Sequence, residues 1–184
     1  IKQGEFMNLK DYFQKAIEEH FALGAITFNN MESLQGIVEA SMEARSPMII
    51  SVSESALKYM GSYCYALTKS AKQIYPHLFL HLDHGKSFEV CKEAVDNGFD
   101  SVMIDGSALK YEDNISITKK VCDYAHKKGV FVDWELGQIK GIEDNTSASE
   151  HIYTDPALAK DFVMKTKVDS LAIAIGTSHG AYKY

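Results

Sequence analysis

The sequence predicts a parallel α/β fold, and three observations carry that prediction. Six short apolar runs recur along the 184 residues, at 24–28, 48–52, 78–82, 101–104, 130–136 and 170–175. A polar or Gly-bearing turn and then an amphipathic, helix-like stretch follow these runs, at 31–44, 55–74, 87–97, 112–127 and 155–165. The runs themselves are brief and rich in β-branched residues, which suits strands buried on both faces, as in a parallel sheet.

Taken in order, a first helix is expected over 9–19, ahead of the first run. The third helical stretch stops at Asn97-Gly98 and the fourth at Lys128-Gly129, pairs that end helices because Gly adopts the left-handed conformation of a C-cap. The fifth begins at Asp155-Pro156, a capping side chain followed by a proline in the first turn. Strands alternating with helices imply either a barrel or a doubly wound open sheet. Neither a GxGxxG nor a Walker sequence follows the first strand, which argues against a nucleotide fold. A barrel places its reactive groups where strands end and loops begin, and this sequence concentrates its unusual polar residues there. The expectation is therefore a TIM (β/α)8 barrel with six of its eight strands present, residues 1–184 forming a single, partial barrel domain. A six-strand parallel sheet has unpaired edges, so the protein is expected to continue beyond Tyr184 or to gain strands from another chain.

Composition narrows the function. With 46% hydrophobic and 24% charged residues the chain is of ordinary globular type. A net charge of −6 argues against nucleic acid as a main partner, because phosphate neutralisation needs a basic face. No apolar run approaches the roughly 20 residues of a membrane span. The three cysteines, Cys64, Cys91 and Cys122, are widely spaced and form no CxxC pair, which suits buried thiols in a cytoplasmic protein.

Three constellations carry chemistry. His81-Leu82-Asp83-His84-Gly85 closes the third run. Two imidazoles and a carboxylate at the end of an apolar strand are costly unless paired, solvated or bound to metal. A lone His there reads as a satisfied core residue; the cluster tips the reading toward a ligand, with the Asp orienting an imidazole or moving protons. Gly176-Thr177-Ser178-His179-Gly180-Ala181-Tyr182-Lys183 follows the sixth run. Its small residues allow backbone amides to approach a phosphate, Lys183 offers a countercharge and His179 a second metal ligand. Glu135-Leu136-Gly137 ends the fifth run, and the connection from 137 to 153 is long enough for a lid that brings Glu143 to a substrate. Two histidines and a glutamate from three strand ends make a zinc site, where the metal polarises a carbonyl and stabilises the enolate left by C–C cleavage.

These segments together resemble the class II, zinc-dependent fructose-bisphosphate aldolases, including the tagatose-bisphosphate branch. The resemblance runs through Phe28-Asn29-Asn30-Met31-Glu32, Val52-Ser53-Glu54, Lys58-Tyr59-Met60-Gly61, and the His81–Gly85 cluster. It continues through Ser101-Val102-Met103-Ile104-Asp105-Gly106-Ser107, Glu135-Leu136-Gly137, Gly141-Ile142-Glu143-Asp144 and Ala174-Ile175-Gly176-Thr177-Ser178-His179-Gly180, in the family's order. It implies a (β/α)8 barrel, assembled as a homodimer or tetramer, that reversibly cleaves fructose 1,6-bisphosphate to dihydroxyacetone phosphate and glyceraldehyde 3-phosphate. It further implies that His84 and His179 bind zinc, with Glu135 as an additional or alternate ligand. Asp83 would move the proton of the C4 hydroxyl and Glu143 that of the enediolate carbon. Gly180, Lys183 and Ser53 would hold phosphate, and Na+ or K+ would sit near the Gly180 backbone.

The chain departs from the family pattern at Thr27, where Asn is usual, at Ser55 and Lys140, where Gly is usual, and at Asp133-Trp134, where Glu-Ala is usual. Trp134 is expected to narrow the barrel mouth. The family's third zinc-binding His and most of its second phosphate site belong to strands seven and eight, beyond the six counted here. A tagatose-bisphosphate aldolase and a non-catalytic sugar-phosphate-binding relative are the alternatives that the same residues allow.

Overall fold

The computed structural model describes residues 7–137, 141–143, 146–148 and 152–176. The six apolar runs form one sheet, made of β1 (Gly24–Thr27), β2 (Met48–Ser53), β3 (Leu78–Gly85), β4 (Ser101–Ile104), β5 (Phe131–Leu136) and β8 (Ala172–Ile173). They lie side by side in chain order, and every adjacent pair is parallel. An order that never reverses has no switch point, which excludes the doubly wound alternative. Right-handed crossovers then put every connecting helix on the same face. The opposite face can be buried only by curling inward, so the sheet is a barrel sector rather than an open layer.

Side-chain alternation divides the core in two. On the outer face, Ile50, Val52, Leu78, Leu80, Leu82, Val102, Ile104, Val132 and Trp134 are buried in one large cluster. Their partners there come from α2 (Met31–Ala44), α4 (Ser62–Ile74), α5 (Phe88–Asp96), α6 (Tyr111–Ala125) and α7 (Pro156–Thr166). Near the strand starts the inner face is apolar, where Ile49 and Phe79 join Leu9 and Tyr12 of α1 (Leu9–Glu19), and Met103 of β4 is buried on the same face. The helix α1 thus closes the bottom of the sector, held by a capping box in which Asn8 and Asp11 exchange backbone-to-side-chain hydrogen bonds. Most other inward positions are polar: Thr27, Ser51, His81 and Ser101 pair in one row across β1 to β4, and Ser53, Asp83, Asp133 and Glu135 lie beyond them.

The expected helix starts and stops hold, with one exception. Asp155 Oδ1 accepts from the N–H groups of Ala157 and Leu158, with Pro156 in the first turn of α7. The stretch 55–74 is two helices, α3 (Glu54–Met60) and α4, because Gly61 stands at φ +57°, ψ −143° between them. L-residues with a side chain avoid that region, and only Gly turns the chain there at little cost. The long connection after β5 carries a short antiparallel pair, β6 (Gly141–Glu143) with β7 (Thr146–Ala148).

Candidate active site

The site stands at the carboxyl ends of β2 to β5. On β3 a bulge interrupts the pairing with β4: Leu82 pairs with Val102 but Gly85 pairs with Ile104, so three steps on β3 oppose two on β4. The extra residue breaks the strict alternation that would send Asp83 and His84 to opposite faces. His84 takes φ +49°, a left-handed conformation that costs a non-glycine residue about 1–2 kcal/mol. Strain of this kind persists only where its surroundings hold it, and here those surroundings are three carboxylates. His84 Nδ1 is hydrogen bonded to Asp105 Oδ2 at 3.0 Å and lies 3.7 Å from Glu135 Oε2, while its Nε2 lies 3.8 Å from Asp83 Oδ1.

The electrostatics follow from burial and pairing. Burial opposes a charged imidazole at His84, but the Asp105 hydrogen bond and the charges of Asp83, Asp105 and Glu135 outweigh it and lift the pKa to about 9. Asp105 is buried too, yet its carboxyl is held far below the usual carboxylate range. It accepts from His84, from the Lys86 ammonium at 2.5 Å, and from both the N–H and the hydroxyl of Ser107. The side chains of Asp105 and Glu135 are only 1% and 8% exposed. Buried carboxylates at such close range need cations, and one donor atom each from His84, Asp105 and Glu135 lies within 4.8 Å of the others. A nitrogen and two carboxylate oxygens so gathered suit a divalent metal such as zinc.

In front of His84 lies a cleft of about 670 Å³ lined by Thr27, Asn29, Asn30, Ser53, Ser55, Ala56, Tyr59, Asp83 and His84. Ser53 caps α3 by accepting from the Ala56 N–H, and its hydroxyl meets that of Ser55 at 3.2 Å. The cleft is thus lined by hydroxyls and side-chain amides together with the Asp83 carboxylate and the His84 imidazole.

The comparisons with known proteins decide what this arrangement belongs to. Residues 7–184 match the family model of class II fructose-bisphosphate aldolases. The chain is a member of that family. It is 46% identical over 187 residues to the fructose-bisphosphate aldolase of Treponema pallidum (strain Nichols), covering 97% of this chain and 56% of that protein. It is 45% identical over 183 residues to the fructose-bisphosphate aldolase of Staphylococcus aureus (strain N315), covering 96% of this chain and 64% of that one. The chain thus spans 56% and 64% of the length of these two relatives. Among solved structures, the YdjI aldolase of Escherichia coli K12 superposes with a TM-score of 0.82 at 33% identity, covering 94% of this chain and 63% of that one. A protein of Coccidioides immitis provisionally assigned as a fructose-1,6-bisphosphate aldolase superposes with a TM-score of 0.86 at 31% identity, covering 95% and 63%.

Within this class II aldolase fold, the residues singled out from sequence divide into three groups. Asp83, His84, Glu135 and Ser53 come to one mouth. Glu143 is on β6, with only its backbone described, and His179, Gly180 and Lys183 lie outside the described residues, as does Lys140. The third group is Trp134 and His81, and for Trp134 the expectation is corrected. Trp134 does not narrow the mouth: it is fully buried on the outer face, stacked on Phe162 of α7 with ring centroids 3.5 Å apart. Its indole N–H donates to Asn114 Oδ1 at 2.7 Å. Strand alternation explains this, since Trp134 sits between the inward residues Asp133 and Glu135. His81, the other imidazole of its cluster, is a satisfied interior residue bonded to Ser101 Oγ at 2.8 Å. Burial pushes its pKa down, against the pull of the Asp83 charge. Asp105, which joins His84 most closely, carried the same signal as Asp83 (an acid ending an apolar run) but reads in sequence as the start of a turn.

Proposed function

We propose that this chain supplies the metal-binding and acid–base part of a class II fructose-bisphosphate aldolase, which reversibly cleaves fructose 1,6-bisphosphate to dihydroxyacetone phosphate and glyceraldehyde 3-phosphate. One observation carries the reading. A carboxylate, Asp83, and an imidazole, His84, meet at the edge of a single cleft, with Asp105 and Glu135 behind the imidazole.

In this reading His84, Glu135 and His179 would hold a zinc ion; two of the three, His84 and Glu135, belong with Asp105 to the cluster described above, whose nitrogen and carboxylate oxygens suit that metal. Zinc there supplies a Lewis acid for the ketose carbonyl. Asp83 takes the proton of the C4 hydroxyl as the C3–C4 bond breaks, and returns it in the condensation direction. Glu143, carried on the β6–β7 pair, handles the proton at the carbon that keeps the electron pair. Ser53, Gly180 and Lys183 hold phosphate, and Na+ or K+ sits near the Gly180 backbone. The enzyme acts in the cytoplasm on a small sugar bisphosphate, as a homodimer or homotetramer. Its net charge of −6 argues against nucleic acid as a partner, and no helix among the described residues is long and apolar enough to cross a membrane.

A coupled cleavage assay, run before and after a chelator and again with zinc restored, tests this. Asp83→Ala should keep its zinc and lose about 10²–10⁴-fold in kcat, the usual worth of a general acid–base group. His84→Ala should lose zinc and turnover together. Turnover that survives chelation, or an Asp83→Ala enzyme at the wild-type rate, would sink the proposal. A higher kcat/KM for tagatose 1,6-bisphosphate than for its C4 epimer would move the chain to the tagatose branch.

A further inference from the structure

Lys86 is a charged residue at the site that the proposed reaction leaves without a task. It follows Gly85 at the end of β3, and its backbone N–H donates to Glu54 Oε2 at 3.0 Å, which ties this turn to the start of α3. Its ammonium lies 2.5 Å from Asp105 Oδ2. The same oxygen meets His84 Nδ1 at 3.0 Å. The other oxygen of Asp105 is taken by Ser107, whose N–H and hydroxyl donate at 3.1 and 2.6 Å. The oxygen that Asp105 turns toward His84 is therefore the one that Lys86 holds, and rotating the carboxylate offers no replacement.

The two partners differ in freedom. The Asp105 side chain is 1% exposed, whereas that of Lys86 is 42% exposed. The carboxylate is fixed, and the ammonium can withdraw into water along a flexible stem at modest cost. A divalent cation drawing on Asp105 Oδ2 would meet an ammonium on the same oxygen, and two cations at that range repel strongly in a site of low dielectric. We propose that Lys86 is a built-in competitor for the metal: it neutralises Asp105 in the empty site and must leave that oxygen when a divalent cation enters, so it lowers the metal affinity of the centre. Lys86 is thus a positioning residue, acting through Asp105, and the inference rests on the metal centre proposed at His84 and Glu135, with Asp105 as a further donor beside them.

The test is a zinc titration of the chelator-stripped protein against a chromogenic chelator, with thermal melts of the same samples. Lys86→Met keeps the stem and removes the charge; Lys86→Gln is the second variant, used if the first melts near the titration temperature. Either should bind zinc more tightly, by about 10–100-fold, the range typical of changes next to metal ligands. The zinc-free variant should melt lower than the wild type, because Asp105 has lost a cation, and zinc should raise its Tm by more. Zinc affinity that is unchanged or weaker in both variants overturns the proposal. His84→Ala separates this failure from that of the parent reading: if it binds zinc as the wild type does, the metal centre itself is not where it has been placed.

Discussion

Trp134 and Glu135 are neighbours on β5 with opposite fates, the indole beneath the helices and the carboxylate in the mouth, because one step along a strand reverses the face. The indole fills a space between β5, α6 and α7 and satisfies Asn114, whose Oδ1 also accepts from Thr118. Gly106 belongs to the same packing: a Cβ there would come within 2.2 Å of Asn114 Oδ1. Trp134→Ala is expected to cost about 3–5 kcal/mol, as large-to-small changes of core aromatics do. Denaturant melts followed by circular dichroism would measure it, and zinc affinity should hardly move, since the site lies on the other face. A midpoint within error of the wild type would mean that the outer core does not depend on this stack. The same alternation explains which site residues were legible in sequence. Asp83, His84 and Glu135 stood out because polar groups that end apolar runs need a reason. Asp105 did not, because its partner His84 is 21 residues away and Ile104-Asp105-Gly106-Ser107 looks like an ordinary turn.

At the scale of elements, α3 is a seven-residue helix that matters more than its length suggests, since Ser55, Ala56 and Tyr59 line the cleft from it and Ser53, its N-cap, lines the cleft beside them. Sequence periodicity ran α3 and α4 together, as Gly61 inside a helical pattern is compatible with continuation; the break depends on its positive φ, which periodicity does not encode. The parallel strands were legible because burial on both faces leaves unbroken apolar runs, while the β6–β7 pair was read only as a long loop since its residues carry no such run. Glu54 anchors α3 to the turn after β3, accepting from the Lys86 N–H and pairing with Lys58 at 2.8 Å. Burial pushes the Glu54 carboxyl up, but those two partners outweigh it and hold the pKa below its ordinary 4.5. A lowered carboxylate pKa contributes stability that is present above the unfolded value and is lost as pH falls through the folded one. Glu54→Gln should therefore destabilise the protein at pH 7 by about 1 kcal/mol, a few degrees in Tm. The gap between the two melting curves should close as the pH drops below 4.5. A gap that stays constant down to acid pH would assign the effect to packing rather than to charge.

At the scale of the whole molecule, the decisive feature is that the sheet does not close among the described residues, with β1 and β8 at its two edges. All four residues of β1 are exposed, as are both of β8, and apolar side chains stand open at the two margins: Ile26 at 45%, Ile173 at 46% and Ile175 at 78%. A parallel sheet that curls through six strands leaves its inner face and both edges short of partners, and unpaired edges with apolar flanks pair with whatever chain they meet. More than a third of the length of the two relatives lies outside the match, room enough there for strands that would meet β1 and β8. A polypeptide limited to residues 1–184 is accordingly expected to self-associate through these margins, with an apparent mass that rises with concentration above the 20.5 kDa of one chain. Placing charge at the margins, Ile26→Lys with Ile175→Lys, should shift that polypeptide toward the monomer, because a lysine on an exposed edge opposes strand addition. Light scattering coupled to size exclusion reads both effects. A wild-type polypeptide of this length that stays at 20.5 kDa across a wide concentration range would show that β1 and β8 are protected without further strands. In that case the aldolase reading would have to be met by an open sector, with phosphate and metal bound from one side only.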